Sequence, residues 1–183
     1  LTEAGMAEYG EAEGWSEPVI WGMGIAQHDV TGDGLPDYAV TNMMDNRLEV
    51  LDGPPAAGPA FADIAFAAGA AATRPYIGGD VRPSTAWHTQ FADFDNDGMA
   101  DLFIAKGNVD AMDEFAQFDP DNLLLRQPDG SFLEAGAGSG VDRDTRSRGA
   151  AIADFNHDGC LDLVVVGRED PVTLLENTGC AAL

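Results

Sequence analysis

Three closely similar nine-residue stretches constrain this chain more than anything else in it: DVTGDGLPD at 29–37, DFDNDGMAD at 93–101 and DFNHDGCLD at 154–162. Their first residues stand 64 and 61 positions apart, a period that suits four short strands with their turns. Each stretch is bracketed by short apolar runs, at 23–27 and 38–41, 89–92 and 102–105, and 150–153 and 163–166. A run of four to five apolar residues on either side of an Asp/Gly cluster reads as strand, loop, strand. A third strand is predicted at 47–51, 122–125 and 172–175. A fourth is predicted at 61–65 and at 131–135, the latter after the turn signal Pro128-Asp129-Gly130.

The chain is therefore expected to be all-β, with one repeat forming one four-stranded blade of a β-propeller. The expected organisation is a last strand of a preceding blade and its connector over 1–20, then blades over 21–66, 67–141 and 142–183. The opening LTEAGM at 1–6 parallels FLEAGA at 132–137, which places it as a fourth strand. A propeller closes its ring with about four to eight blades, so about three blades read as part of a larger ring, for example a seven-bladed one. Neighbouring blades from the same or another chain are then required partners. Insertions at 54–59, 73–85 and 108–120 interrupt the repeat, and such loops on a repeat scaffold are where binding is commonly located.

The spacing inside the loops points to a hard cation. Calcium takes six to eight oxygen ligands, and a curled loop supplies them from alternate positions. In the second loop Asp93, Asp95 and Asp97 stand at positions 1, 3 and 5, the Met99 carbonyl at 7 and Asp101 at 9, with Gly98 permitting the sharp turn. The third offers Asp154, Asn156, Asp158, the Cys160 carbonyl and Asp162; the first offers Asp29, Thr31, Asp33, the Leu35 carbonyl and Asp37. Up to three calcium ions are expected, with the Thr31-containing loop the weakest site. Magnesium, which demands a stricter octahedron, suits the pattern less well. An EF-hand is excluded because position 12 holds Val40, Ile104 or Val165 rather than Glu. Turn formation alone would explain one such loop, but not three in step with an acid at position 9 in each.

These residues make the chain similar to the FG-GAP/VCBS repeat family, the calcium-binding repeats also found in integrin α-subunit propellers. WGMGIAQHDVTGDGLPDYAV at 21–40 and HTQFADFDNDGMADLFIAKG at 88–107 resemble the version that precedes an ASPIC/UnbV domain in secreted proteins. VTLLENTG at 172–179 resembles the segment just before that domain. The resemblance implies propeller blades, the loop residues named above as calcium ligands, an exported parent protein and no catalytic residue.

Charge narrows the partners. Asp and Glu number 32 against 9 Lys and Arg, a net charge of -23, which disfavours nucleic acid and anionic membrane surfaces. The most apolar stretch, 64–72, is too short to span a bilayer. No P-loop, GxSxG or CxxC pattern occurs. Cys160 and Cys180 are the two cysteines; they either clamp the last blade as a disulfide or stand as thiols. Trp21 and Trp87 are expected between blades, and His157 at loop position 4 is expected in solvent. The leading expectation is a non-enzymatic extracellular or periplasmic interaction or adhesion module meeting a protein or glycan through its inter-strand loops. The alternatives are an accessory or substrate-binding domain of a larger exported enzyme, such as a polysaccharide-degrading one, and an architectural subunit of a surface assembly.

Overall fold

A computed structural model describes residues 22–43, 45–51, 60–71, 85–108 and 118–180. The expectations for 1–6, for Trp21 and for the insertion at 54–59 lie outside these residues, as does most of the other two insertions. Strands β1 (Ile25–His28), β2 (Asp37–Val40), β3 (Arg47–Leu51) and β4 (Phe61–Asp63) form an antiparallel sheet in chain order. After a single helical turn, α1 (Ala65–Ala68), a second sheet repeats the meander with β5 (Ala86–Ala92), β6 (Asp101–Lys106), β7 (Asn122–Arg126) and β8 (Phe132–Glu134). The third contains β9 (Ser147–Ala153), β10 (Asp162–Gly167) and β11 (Thr173–Leu175), with no fourth strand among the described residues. The molecule is thus nearly all-β, built from three blade-like antiparallel sheets.

One strand prediction is corrected. The run predicted as a strand over 61–65 stops at Asp63, because the alanine-rich segment after it favours a helical turn. The Asp63 Oδ1 accepts the Ala65 N–H at 3.0 Å, and Gly69, at φ 76, closes the turn. Ala65, Ala68 and Ala70 then pack into the core between the first two sheets.

Side chains on a strand alternate between its two faces, and the middle sheet uses both. On β6, Leu102 and Ile104 join Ala39, Leu48 and Leu124 in one core, whereas Phe103 and Ala105 join Leu163 and Val165 in another. The second sheet is therefore sandwiched between the first and third. The strands that open each sheet lie side by side, β1 against β5 and β5 against β9. Two glycines allow the approach. A Cβ on Gly24 would stand 2.3 Å from the Trp87 carbonyl oxygen, and one on Gly107 would stand 2.6 Å from the Arg146 Cα. Trp87 lies beneath the Arg148 guanidinium, 4.4 Å from the ring centre, and that guanidinium donates to the Gly107 and Asn108 carbonyls at 2.9 Å each.

Candidate metal centre

All three Asp-rich loops connect the first and second strands of their sheets, and all three share one set of internal hydrogen bonds. The position-1 carboxylate accepts amides from the far side of the turn. Asp93 takes Asp97 N–H at 3.1 Å and Gly98 N–H at 2.9 Å; Asp154 takes Asp158 and Gly159; Asp29 takes Gly32, Asp33 and Gly34. The position-5 carboxylate accepts the amide of position 7 at 2.8 Å in every loop, from Leu35, Met99 and Cys160. Gly34, Gly98 and Gly159 sit at φ 84, 87 and 89, where a Cβ would be strained. Position 4 is left-handed as well, in Gly32, Asn96 and the exposed His157. The amide of Gly34, followed by those of Gly32 and Asp33, holds the Asp29 carboxyl below the ordinary carboxylate range. The Cys160 amide, then the Asn156 side chain, does the same for Asp158.

The position-9 aspartates are buried, and each stitches three parts of its blade together. One oxygen accepts the position-2 amide: Val30 on Asp37 at 2.8 Å, Phe94 on Asp101 at 2.9 Å and Phe155 on Asp162 at 3.0 Å. The other accepts an amide at or just beyond the end of the third strand: Leu51 at 3.0 Å, Arg126 at 2.7 Å and Asn177 at 2.9 Å. Sequence reasoning missed these three amide partners. They stand 14, 25 and 15 residues beyond their aspartates, so no fixed offset marks them.

The loops differ in how their acids converge. In the second, ligand atoms of Asp93, Asp95 and Asp101 all lie within 4.8 Å of one another. Oxygens bound to one calcium ion at 2.3–2.6 Å are at most about 5 Å apart, so this set fits around a single ion. Like charge and burial already mark the cost of holding it together. Desolvation, followed by the nearby Asp97 charge, raises the Asp95 pKa, and burial pushes Asp101 up to about 6 against its two amide donors. A divalent cation would relieve both penalties. The predicted ligand Asp97 is not among the three converging acids: it is exposed in the same turn, where its charge acts on Asp95, and the Met99 carbonyl belongs to that turn as well.

In the first loop, by contrast, the Thr31 hydroxyl turns inward and donates to Asp37 at 3.3 Å, which leaves position 3 without an anionic oxygen. In the third, the Asn156 amide donates to Asp158 at 2.8 Å and to Glu176 at 3.1 Å, while its oxygen accepts the Asp158 N–H. Cys160, at position 7 of this loop, is disulfide-bonded to Cys180, with a Cα–Cα distance of 5.8 Å.

Antiparallel meander sheets stacked face to face, each with an aspartate-stitched loop between its first two strands, define a class of β repeat protein. Residues 93–165, running from the second loop's first aspartate into β10, match the family model of the FG-GAP-like repeat. Over that stretch, 73 of the 183 residues, the chain is similar to an FG-GAP-like repeat. No curated protein matches it.

Proposed function

We propose that this chain is a calcium-stabilised segment of an extracytoplasmic β-propeller that acts as a non-enzymatic interaction module. The observation that carries the proposal is the convergence of Asp93, Asp95 and Asp101 oxygens to within 4.8 Å on a loop whose amides are already engaged. The first and third loops, with Asp29, Asp33 and Asp37 and with Asp154, Asn156, Asp158 and Asp162, are the further calcium sites. When bound, the ion supplies charge neutralisation and ties the turn to its strands. The residues do the remainder, since the position-1 and position-9 aspartates organise the backbone that presents the position-7 carbonyls. The Cys160–Cys180 bond supports an oxidising compartment outside the cytoplasm. The partner is a protein or glycan met through the inter-strand loops, consistent with a net charge of -23 that repels polyanions.

Thermal unfolding with calcium and with chelator tests the metal reading. Extracellular calcium modules have dissociation constants of about 10⁻⁴–10⁻³ M. A site in hundredfold excess of free ion gains about 2.7 kcal/mol. A rise in melting temperature on calcium addition is expected. Asp97→Ala should lose more of that calcium-dependent stability than Asp33→Ala, because the second loop has four carboxylates and the first has three. Equal melting temperatures with and without calcium would overturn the reading.

A further inference from the structure

The three residues whose amides cap the position-9 aspartates are Leu51, Arg126 and Asn177, and two of them have side chains that reach the neighbouring blade. The Arg126 guanidinium donates to the Val30 carbonyl of the first loop at 3.1 Å, while its backbone N–H donates to Asp101 of the second. Asn177 repeats the device one blade later. Its side-chain amide donates to the Phe94 carbonyl of the second loop at 2.7 Å, and its backbone N–H donates to Asp162 of the third. Val30 and Phe94 both stand at loop position 2, and their own N–H groups donate to Asp37 and Asp101. The peptides on either side of Phe94 are thus gripped at once by its own blade's acid and by the next blade's asparagine.

We propose that Arg126 and Asn177 are positioning residues that couple neighbouring calcium loops, so that the second and third loops fill cooperatively. This rests on the calcium reading above. Ordering the second loop fixes the Phe94 carbonyl, which holds Asn177, and the Asn177 amide then holds Asp162 at the base of the third loop. A second bond joins the same pair: the Asn96 side chain donates to the Gly159 carbonyl at 3.0 Å. The corresponding residue of the first loop is Gly32, which has no side chain to offer. The first and second loops therefore share the Arg126 bond without this companion, and their coupling is the weaker of the two.

Calcium titration calorimetry of the whole chain decides the matter, with Asp33→Ala present throughout to silence the first loop. The parent should bind two ions cooperatively, the second about fivefold or more tighter than independent sites allow, within the usual range of coupling between sites. Adding Asn96→Gly and Asn177→Ala should leave two ions bound with the cooperativity lost, an outcome that a merely structural role would not give. Should Asn177→Ala fail to fold, Asn96→Gly alone is decisive. It relieves a left-handed residue at φ 58 and should still lower the coupling at least twofold. Two independent ions in the parent, or cooperativity that survives both substitutions, would overturn the coupling and leave the calcium reading intact. No binding at all would overturn both.

Discussion

Both oxygens of Asp101 accept backbone amides, those of Phe94 and Arg126. Asp97 accepts one exposed amide, that of Met99. The two acids should therefore fail differently. Asp101→Ala strands two amide donors at a buried site, which at about 1–3 kcal/mol each is expected to destabilise the protein by several kcal/mol even in chelator. Asp97→Ala should cost little in chelator and show its loss when calcium is added. Denaturant titration in both buffers separates them, and equal losses in chelator would show that position 9 is no more structural than position 5. A second residue-scale test concerns Asp121, which lies away from the loops. It accepts the Lys106 N–H and the Ser147 hydroxyl, and burial raises its pKa from 3.8 to about 7. A group raised in the folded state stabilises fully below about pH 4, and that contribution is lost as pH climbs to about 7. Asp121→Asn keeps the acceptor for Lys106, so relative to the parent it should gain stability steadily from pH 4 to pH 8. Melting curves across that range check the sign, and a constant difference would refute it.

At the scale of strands and loops, much of the architecture was legible because two signals coincided. Apolar runs of four to five residues flank the Asp/Gly clusters, so β1, β2, β6 and β10 could be placed from sequence to within a residue or two. What escaped had no local signature. The extension of β5 back to Ala86 and of β9 back to Ser147 depends on neighbouring strands, and the turn α1 won over an expected strand through alanine propensity and the Asp63 carboxylate that accepts the Ala65 N–H. Likewise the loop acids were readable from alternation, but the roles of Arg126 and Asn177 were not, because insertions of unequal length move them relative to their aspartates. The Cys160–Cys180 bond ties the third loop to the segment after β11. A bridge enclosing about 20 residues stabilises by about 3 kcal/mol on loop-closure grounds. Cys160→Ser with Cys180→Ser should lower stability by an amount of that order and weaken calcium uptake by the third loop more than by the second. Calorimetry of the double variant measures both, and unchanged uptake by the third loop would refute the link.

For the molecule as a whole, the two inter-sheet cores repeat one another, and the repeat marks the face of the third sheet that no further sheet covers among the described residues. Alignment on the loops superposes Phe103 and Ala105, both fully buried, with Val164 and Val166. Val166 is 41% exposed, and Leu174, opposite Val164 on β11, is 59% exposed. The chain by itself is accordingly expected to self-associate through this face. Val166→Lys with Leu174→Lys should shift it toward monomer in light scattering without lowering its melting temperature. A native chain that is already monomeric at high concentration would contradict this. The doubly covered middle sheet has another consequence. Where a strand has one wet face, sliding it by a single residue exposes the core, and that penalty sets its alignment. β6 has no wet face: Leu102, Phe103, Ile104 and Ala105 are apolar and buried on both sides, so a one-step slip would exchange one apolar face for another. Its ends supply the missing penalty. Asp101 and Lys106, both fully buried, meet partners found at a single setting: Asp101 accepts the Phe94 and Arg126 amides at one end, and at the other the Lys106 ammonium pairs with Asp119 while its backbone N–H donates to Asp121. These buried charges act as register pins for a strand whose hydrophobic pattern would tolerate being mis-threaded.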